Sequence, residues 1–189
     1  QRLQHWMFQA RRLLRPVRQV PRSEINPRTC RIMLQIIRAQ NLPLSVGGDS
    51  RFDDLVNNVW VDVSFGSVRR RTSTQVGVNP SWNQLLAIPL NKPNQQFGYA
   101  PAEMLNISEK LRINLYDRNV YESHSSHSDL TQVWEEHWLG SAEMNFLDIY
   151  LCQPILAALP LDIPPQSLGY KLENEHTPSR LWVYVSLDP

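Results

Sequence analysis

The chain has 189 residues, 42% of them apolar and 20% charged, with 14 prolines, 7 glycines and a net charge of +1. That length and apolar share suit one packed domain with extensions. No apolar run approaches the ~18–20 residues needed to cross a bilayer as a helix, and two cysteines are too few for a disulfide framework. Both cysteines, Cys30 and Cys152, lie in apolar stretches and read as reduced, buried thiols of an intracellular protein.

The near-zero charge hides an asymmetry. Residues 1–29 carry seven arginines and one acid, which leaves twelve basic and seventeen acidic residues for the remainder. Within that basic end Leu3, Trp6, Met7, Ala10, Leu13 and Leu14 recur at helical spacing, with Arg2, Arg11, Arg12 and Arg15 mostly on the rest of the wheel. Pro16 stops the pattern, and Pro21 and Pro27 make the following stretch an extended linker. Residues 1–28 are thus expected to form a basic amphipathic helix and Pro-rich linker, and 29–189 the domain. Such a helix can dock on its own domain, continue a coiled coil, or lie on an acidic membrane. Nucleic acid is not expected, because no aromatic-basic interleaving follows.

From Cys30 the period changes to two. Ile32, Leu34 and Ile36 face one way, and Asn41-Leu42-Pro43 closes the strand. Residues 45–58 read as a long loop. Val59, Val61, Val63 and Phe65 then alternate with Trp60, Asp62 and Ser64 in a half-buried strand. Gly66-Ser67 turns it into a hairpin partner from Val68 to Gln75. Asn79-Pro80-Ser81-Trp82-Asn83 follows: Pro80 bars a helix, and Trp82 supplies an apolar anchor where the stretch Leu85–Leu90 begins.

Residues 91–109 read as a connection and Leu111–Leu115 as a strand ending at Tyr116-Asp117. Arg118–Glu136, with its Ser/His run, reads as a mobile surface loop. His137–Phe146, Pro154–Leu161 and Leu181–Leu187 complete about eight short strands with no strong helix among them. The expected fold is all-β: an eight-stranded antiparallel sandwich with an N-terminal amphipathic helix.

Val61-Asp62-Val63-Ser64-Phe65, a Thr/Ser-rich strand, Asn79-Pro80-Ser81-Trp82-Asn83, Tyr116-Asp117 and Trp138-Leu139-Gly140 resemble, in order, the core of a C2 domain. Leu13-Leu14-Arg15-Pro16, His137-Trp138-Leu139-Gly140, Asp162-Ile163-Pro164-Pro165 and Leu168-Gly169-Tyr170 resemble one C2 family in particular, the coiled-coil and C2 domain-containing protein 2A family. The resemblance runs from about residue 13 to the end. It implies a non-catalytic assembly protein of the cytoplasm and cytoskeleton at the cilium base, in the transition zone and basal body. Its partners would be other proteins of that assembly, and it would serve cilium biogenesis.

The resemblance also raises calcium, since many C2 domains hold Ca²⁺ with about five clustered Asp side chains, hard ligands for a cation that takes ~6–8 oxygens. The third-loop Asp-x-Asp falls here on Asp117-Arg118-Asn119, the later Asp on His137, and the first-loop Asp on Asn57 or Asn58. One carboxylate beside Arg118 is a poor site, so Asp117, Asn119 and His137 read as degenerate calcium-loop positions, with Asp117 capping a loop or pairing with Arg118. No metal and no cofactor is expected. His124, His127, Asp129 and His137 could be taken for zinc ligands, but a Ser-rich loop supplies no fixed geometry.

Lipid-binding C2 domains place a basic strand near Arg69-Arg70-Arg71, whose guanidinium forks suit phosphate. On a strand Arg69 and Arg71 share one face and Arg70 the other. A solvated edge or an acidic protein contact competes with an anionic membrane surface. Trp60, Trp182 and Tyr184 alternate with core-facing residues and are candidate partner contacts, unless the N-terminal helix or the 91–109 connection covers them. No nucleophile elbow, phosphate loop or placed Cys/His pair speaks for an enzyme.

Overall fold

The computed structural model describes residues 30–45, 57–90, 101–124, 130–165 and 170–188. The expected N-terminal helix and linker, and His127 and Asp129 of the zinc candidates, lie outside those residues. Among the described residues no helix is long and apolar enough to cross a membrane.

The period-two stretches form strands because β-branched and apolar side chains on alternate positions bury one face of a pleated ribbon. Strand β1 (Arg31–Gln40) turns Ile32, Leu34 and Ile36 inward, all fully buried. After it come β2 (Leu44–Ser45), β3 (Asn58–Phe65), β4 (Val68–Arg71), β5 (Gln75–Val76) and β6 (Ser81–Pro89). The short helix α1 (Pro101–Leu105) precedes β7 (Lys110–His124) and β8 (Leu130–Asn145). Helix α2 (Phe146–Cys152), β9 (Ile155–Pro160), β10 (Tyr170–Lys171) and β11 (Arg180–Asp188) complete the order.

Two antiparallel sheets stack, one in the order β6-β1-β11-β9 and the other β4-β3-β7-β8, with β5 joined to β3 and a small β2–β10 pair beside them. Eight substantial strands therefore make the sandwich, as the alternation anticipates. Between the sheets Leu34, Ile36, Val61, Val63, Leu111, Ile113, Leu115, Val183 and Val185 meet in one core. Each such side chain contributes ~1.5–3 kcal/mol on removal from water, so the interleaved faces are the main hold on the fold.

Polar clamps fix the ends. Asn41 adopts φ 54°, a left-handed conformation that Asn tolerates better than most residues. Its N–H donates to Asn79 Oδ1 at 2.8 Å, its Nδ2 donates to the carbonyls of Asn174 (2.9 Å) and Thr177, and its carbonyl accepts from Ser179 Oγ at 2.6 Å. The Asn-Pro-Ser-Trp-Asn turn is thus tied to the end of β1, with Pro80 carbonyl accepting from Ala39 N–H at 2.9 Å. Trp82 is buried and donates from Nε1 to Ser73 carbonyl at 2.9 Å. On the other sheet the outer edge of β8 meets residues 161–163: Ser141 and Asp162 exchange two backbone hydrogen bonds of 2.8 and 2.9 Å. Gly140 sits there because an added Cβ would stand 2.9 Å from Asp162 carbonyl oxygen.

Four expectations need correction. Residues 118–136 are not a surface loop throughout: β7 and β8 stay in register from Lys110↔Asn145 to His124↔Leu130, and polar side chains there hide the period. Phe146–Cys152 is helical, a seven-residue element too short to show a 3.6 rhythm in sequence, with Phe146 and Ile149 turned to the core. Strand β3 is not half-buried, since Trp60 and Asp62 are each 3% exposed. Finally, Cys152 is exposed at the end of α2 while Cys30 is buried.

Candidate functional site: an arginine-aromatic face

The outer face of β4-β3-β7-β8 is assembled by register. The turn at Gly66 (φ 54°) sends β4 back along β3, so that Asp62 lies opposite Arg71 and Ser64 opposite Arg69. Both guanidiniums reach the buried Asp62 carboxylate, Arg71 Nε at 3.3 Å and Arg69 Nε at 3.8 Å. Their side chains remain 56% and 71% exposed, so solvent screens these pairs and leaves donors facing outward. Arg70 points the other way, as the alternation requires. Its Nε donates to Ala87 carbonyl at 3.2 Å, stitching the β4 edge to β6.

Beside the arginines is an aromatic row. Trp60 lies opposite Tyr116, which lies opposite Trp138. Trp60 and Tyr116 stack with centroids 4.9 Å apart. The Arg71 guanidinium sits 4.4 Å above the Trp60 ring and that of Arg118 6.0 Å away, an arrangement in which the ring's quadrupole holds the cations. Arg118 is paired to Glu136 at 3.0 Å. Farther along, Lys110 and Arg112 share Glu143 at 2.8 and 3.2 Å. The hydrogen bond from Lys110, helped by Arg112, holds the Glu143 carboxyl below the usual carboxylate range. This face offers several half-exposed cations fixed by pairing and stacking, suited to an anionic surface or group.

Two of the three calcium-loop positions, Asp117 and His137, meet beside the start of β3. Asp117 lies opposite His137 in the ladder and next to the start of β3. Its carboxylate is occupied by structure, since Oδ1 accepts from Asn58 N–H at 2.6 Å. Asn57 donates to Pro43 carbonyl at 3.0 Å. His137 contacts Glu135 at 3.4 Å. Asn119 lies within β7, opposite Glu135. Among the described residues no three His, Cys, Asp or Glu side chains are grouped for a metal. Among the described residues, the carboxylate at the Asp117 position is used as a cap, and an imidazole, His137, stands opposite it where a calcium end would need further carboxylates.

Trp60, Trp182 and Tyr184 are not one patch. Trp60 belongs to β3 and is covered by Arg71, whereas Trp182 and Tyr184 are half-buried on β11 in the opposite sheet. The residues that sequence reasoning passed over are Asp62, Tyr116, Arg118, Glu136 and the Lys110/Arg112/Glu143 group. Only cross-strand register joins them, and register is not written in any single stretch.

Comparison with known proteins agrees with the geometry. The C2 domain family pattern matches residues 30–130. Protein CC2D2B of Homo sapiens is 23% identical over 204 residues, covering 88% of this chain. Coiled-coil and C2 domain-containing protein 2A of Drosophila melanogaster is 24% identical over 194 residues, covering 84% of this chain. The chain spans 14% of the length of each of these relatives. Among solved structures, the paired C2 domains of Extended-Synaptotagmin 2 superpose on 92% of this chain and 48% of theirs, with TM-score 0.54 and 13% identity, a likeness of fold.

Proposed function

This chain belongs to the C2 domain family, and we propose that it works as a non-catalytic, calcium-independent interaction module. The observation that carries the calcium part is the bond from Asn58 N–H to Asp117, with amides and His137 at the neighbouring positions. A cation there would have to displace a structural cap and would find no further grouped carboxylates among the described residues. We assign the module to an assembly protein of the coiled-coil and C2 domain-containing 2A type at the cilium base. The distant similarity to two proteins of that kind over most of the chain supports this, as do the motifs around Gly140 and Asp162. Its partners are then other transition-zone and basal-body proteins. Expression of the tagged chain in ciliated cells tests the assignment: enrichment at the cilium base is expected, and uniform distribution through the cytoplasm would refute it.

A second reading has a specific observation behind it, the exposed guanidiniums of Arg69 and Arg71 held by Asp62, with Arg71 over Trp60. It makes the arginine-aromatic face a contact for anionic lipid. Flotation with phosphoinositide vesicles decides. Each arginine near an anionic surface is worth ~1 kcal/mol, so Arg69→Glu/Arg71→Glu should lower partitioning at least ~10-fold under the lipid reading. Salt-insensitive or unchanged binding removes it.

A further inference from the structure

The outer face of the β4-β3-β7-β8 sheet carries two cation triads whose spacing points to a ligand. Register sets Arg69, Ser64, Arg112 and Glu143 in one row across the four strands. The next row is Arg71, Asp62, Asn114 and Ser141, and the aromatic row follows it. In each triad two cations share one carboxylate: Arg69 and Arg71 share Asp62, and Lys110 and Arg112 share Glu143. Four cations against two carboxylates leave a surplus of two positive charges. That surplus is accessible, since Arg69 is 71% and Arg112 65% exposed, while Asp62 is 4% exposed beneath its arginines. Ser64 lies between Arg69 and Arg112, a short hydroxyl side chain flanked by two long guanidiniums. Strands ~4.8 Å apart place the two arginine backbones ~10 Å from each other. An anionic group over Ser64 is then within reach of both forks.

We propose, building on the interaction-module reading, that this face takes an extended acidic segment of a protein partner. Side chains on one face of an extended chain recur every ~6.7 Å, the step that also separates Arg69 from Arg71 along β4. Carboxylates on alternate residues of the segment therefore meet successive guanidiniums. Asp62 and Glu143 hold the cations in place beforehand, which spares part of the ordering cost of binding. Three features favour a peptide over a membrane surface. The interspersed carboxylates keep the net charge of these rows low, whereas attraction to an anionic bilayer grows with the number of basic residues. Ser64, Asn114 and Ser141, all half-buried, supply hydroxyl and amide groups for a peptide backbone. Trp138, 37% exposed, ends the aromatic row that begins under Arg71, and Trp, Tyr and Arg carry much of the energy of protein interfaces. Glu143 is then a competitor, because an incoming carboxylate shares Arg112 with it.

Fluorescence anisotropy with the full 189-residue chain tests this, with two labelled peptides as probes: Glu-Thr-Glu-Thr-Glu-Thr-Glu and its isomer Glu-Glu-Glu-Glu-Thr-Thr-Thr. The alternating peptide should bind at least ~5-fold tighter than the isomer. Arg69→Gln/Arg112→Gln removes the two most exposed of the four cations and leaves Arg71 on Asp62. It should weaken binding at least ~5-fold. Glu143→Gln should strengthen binding ~2–3-fold by freeing Lys110 and Arg112. Arg180→Gln, at an exposed position opening β11 in the other sheet, should change nothing. Absence of peptide binding, equal binding of the isomers, or an equal loss in Arg180→Gln overturns the proposal. So does flotation with phosphoinositide vesicles that Arg69→Gln/Arg112→Gln abolishes while neither peptide binds, which gives the face to lipid. If that double variant unfolds, Glu143→Gln decides, and binding no tighter than native refutes the proposal. Loss of enrichment at the cilium base would leave peptide binding standing, and loss of peptide binding would leave the enrichment standing, so the two failures are distinct.

Discussion

Replacing Asn41 tests how the two ends of the chain are locked together. Its side chain makes three hydrogen bonds to the 174–177 segment: two from Nδ2 to the carbonyls of Asn174 and Thr177, and one accepted by Oδ1 from Asn174 N–H at 3.2 Å. At ~1 kcal/mol net for each, Asn41→Gly should cost ~3 kcal/mol. Asn41→Ala loses the same bonds and also has to place a Cβ at φ 54°, which adds ~1 kcal/mol. The expected order is therefore native, then Gly, then Ala, with ~3 and ~4 kcal/mol of destabilisation. For a chain of this size ~1 kcal/mol corresponds to ~2–4 °C in Tm, so the alanine variant should melt about 10 °C lower. Urea unfolding followed by tryptophan fluorescence gives both numbers. If the two variants lie within ~0.5 kcal/mol of the native chain, Asn41 is not a clamp. If glycine costs more than alanine, the left-handed backbone is not held in solution.

Calcium at sub-millimolar concentration should leave the melting temperature of the native chain and of Asp117→Asn unchanged, while the substitution itself costs ~1 kcal/mol by weakening the bond from Asn58 N–H. A calcium-dependent rise in Tm of the native chain would overturn the capping role. Gly140→Ala should cost ~1–3 kcal/mol in the same melt, because its Cβ would press on Asp162 carbonyl oxygen and on Ile163. An unaltered Tm would show that the 161–163 segment yields. The Glu143 carboxyl, lowered by the hydrogen bond from Lys110, binds its proton less readily folded than unfolded. Its contribution is present above the unfolded pKa and is lost as pH falls through the folded value. Glu143→Gln should therefore lower stability at neutral pH, where the charged carboxylate contributes, and flatten the acid limb below the ordinary glutamate range, so that the two proteins converge in acid. An identical acid limb in both proteins would refute it.

The sequence is most legible where one face of a strand is apolar. Ile32, Leu34 and Ile36, or Leu181, Val183 and Val185, announce their strands because alternation is a local property. Asn79-Pro80-Ser81-Trp82-Asn83 marks its turn for the same reason. Legibility fails where partners come from afar. Arg118 and Glu136 are eighteen residues apart in sequence and 3.0 Å apart in space, and their polarity disguises strand as loop. Asp62 reads as the exposed side of a strand until Arg69 and Arg71 fold back over it. Phe146 reads as the last residue of a strand, although it opens a helix that closes the core. Of the candidate site, Asp117 was readable as a cap, but the cap's recipient, Asn58 N–H, depended on β3 lying beside β7.

The junction of Ser141 with Asp162 has a consequence beyond stability. Strand β8 is the outer strand of its sheet, and an uncovered outer strand offers its backbone groups as a template for another chain. The 161–163 segment occupies that template at one place, and Gly140 permits the approach. The motifs containing Gly140 and Asp162 are thus two halves of one seal. Damage to either should first appear as edge-to-edge self-association during expression or storage, with the stack of Arg71 on Trp60 elsewhere in the sheet still intact.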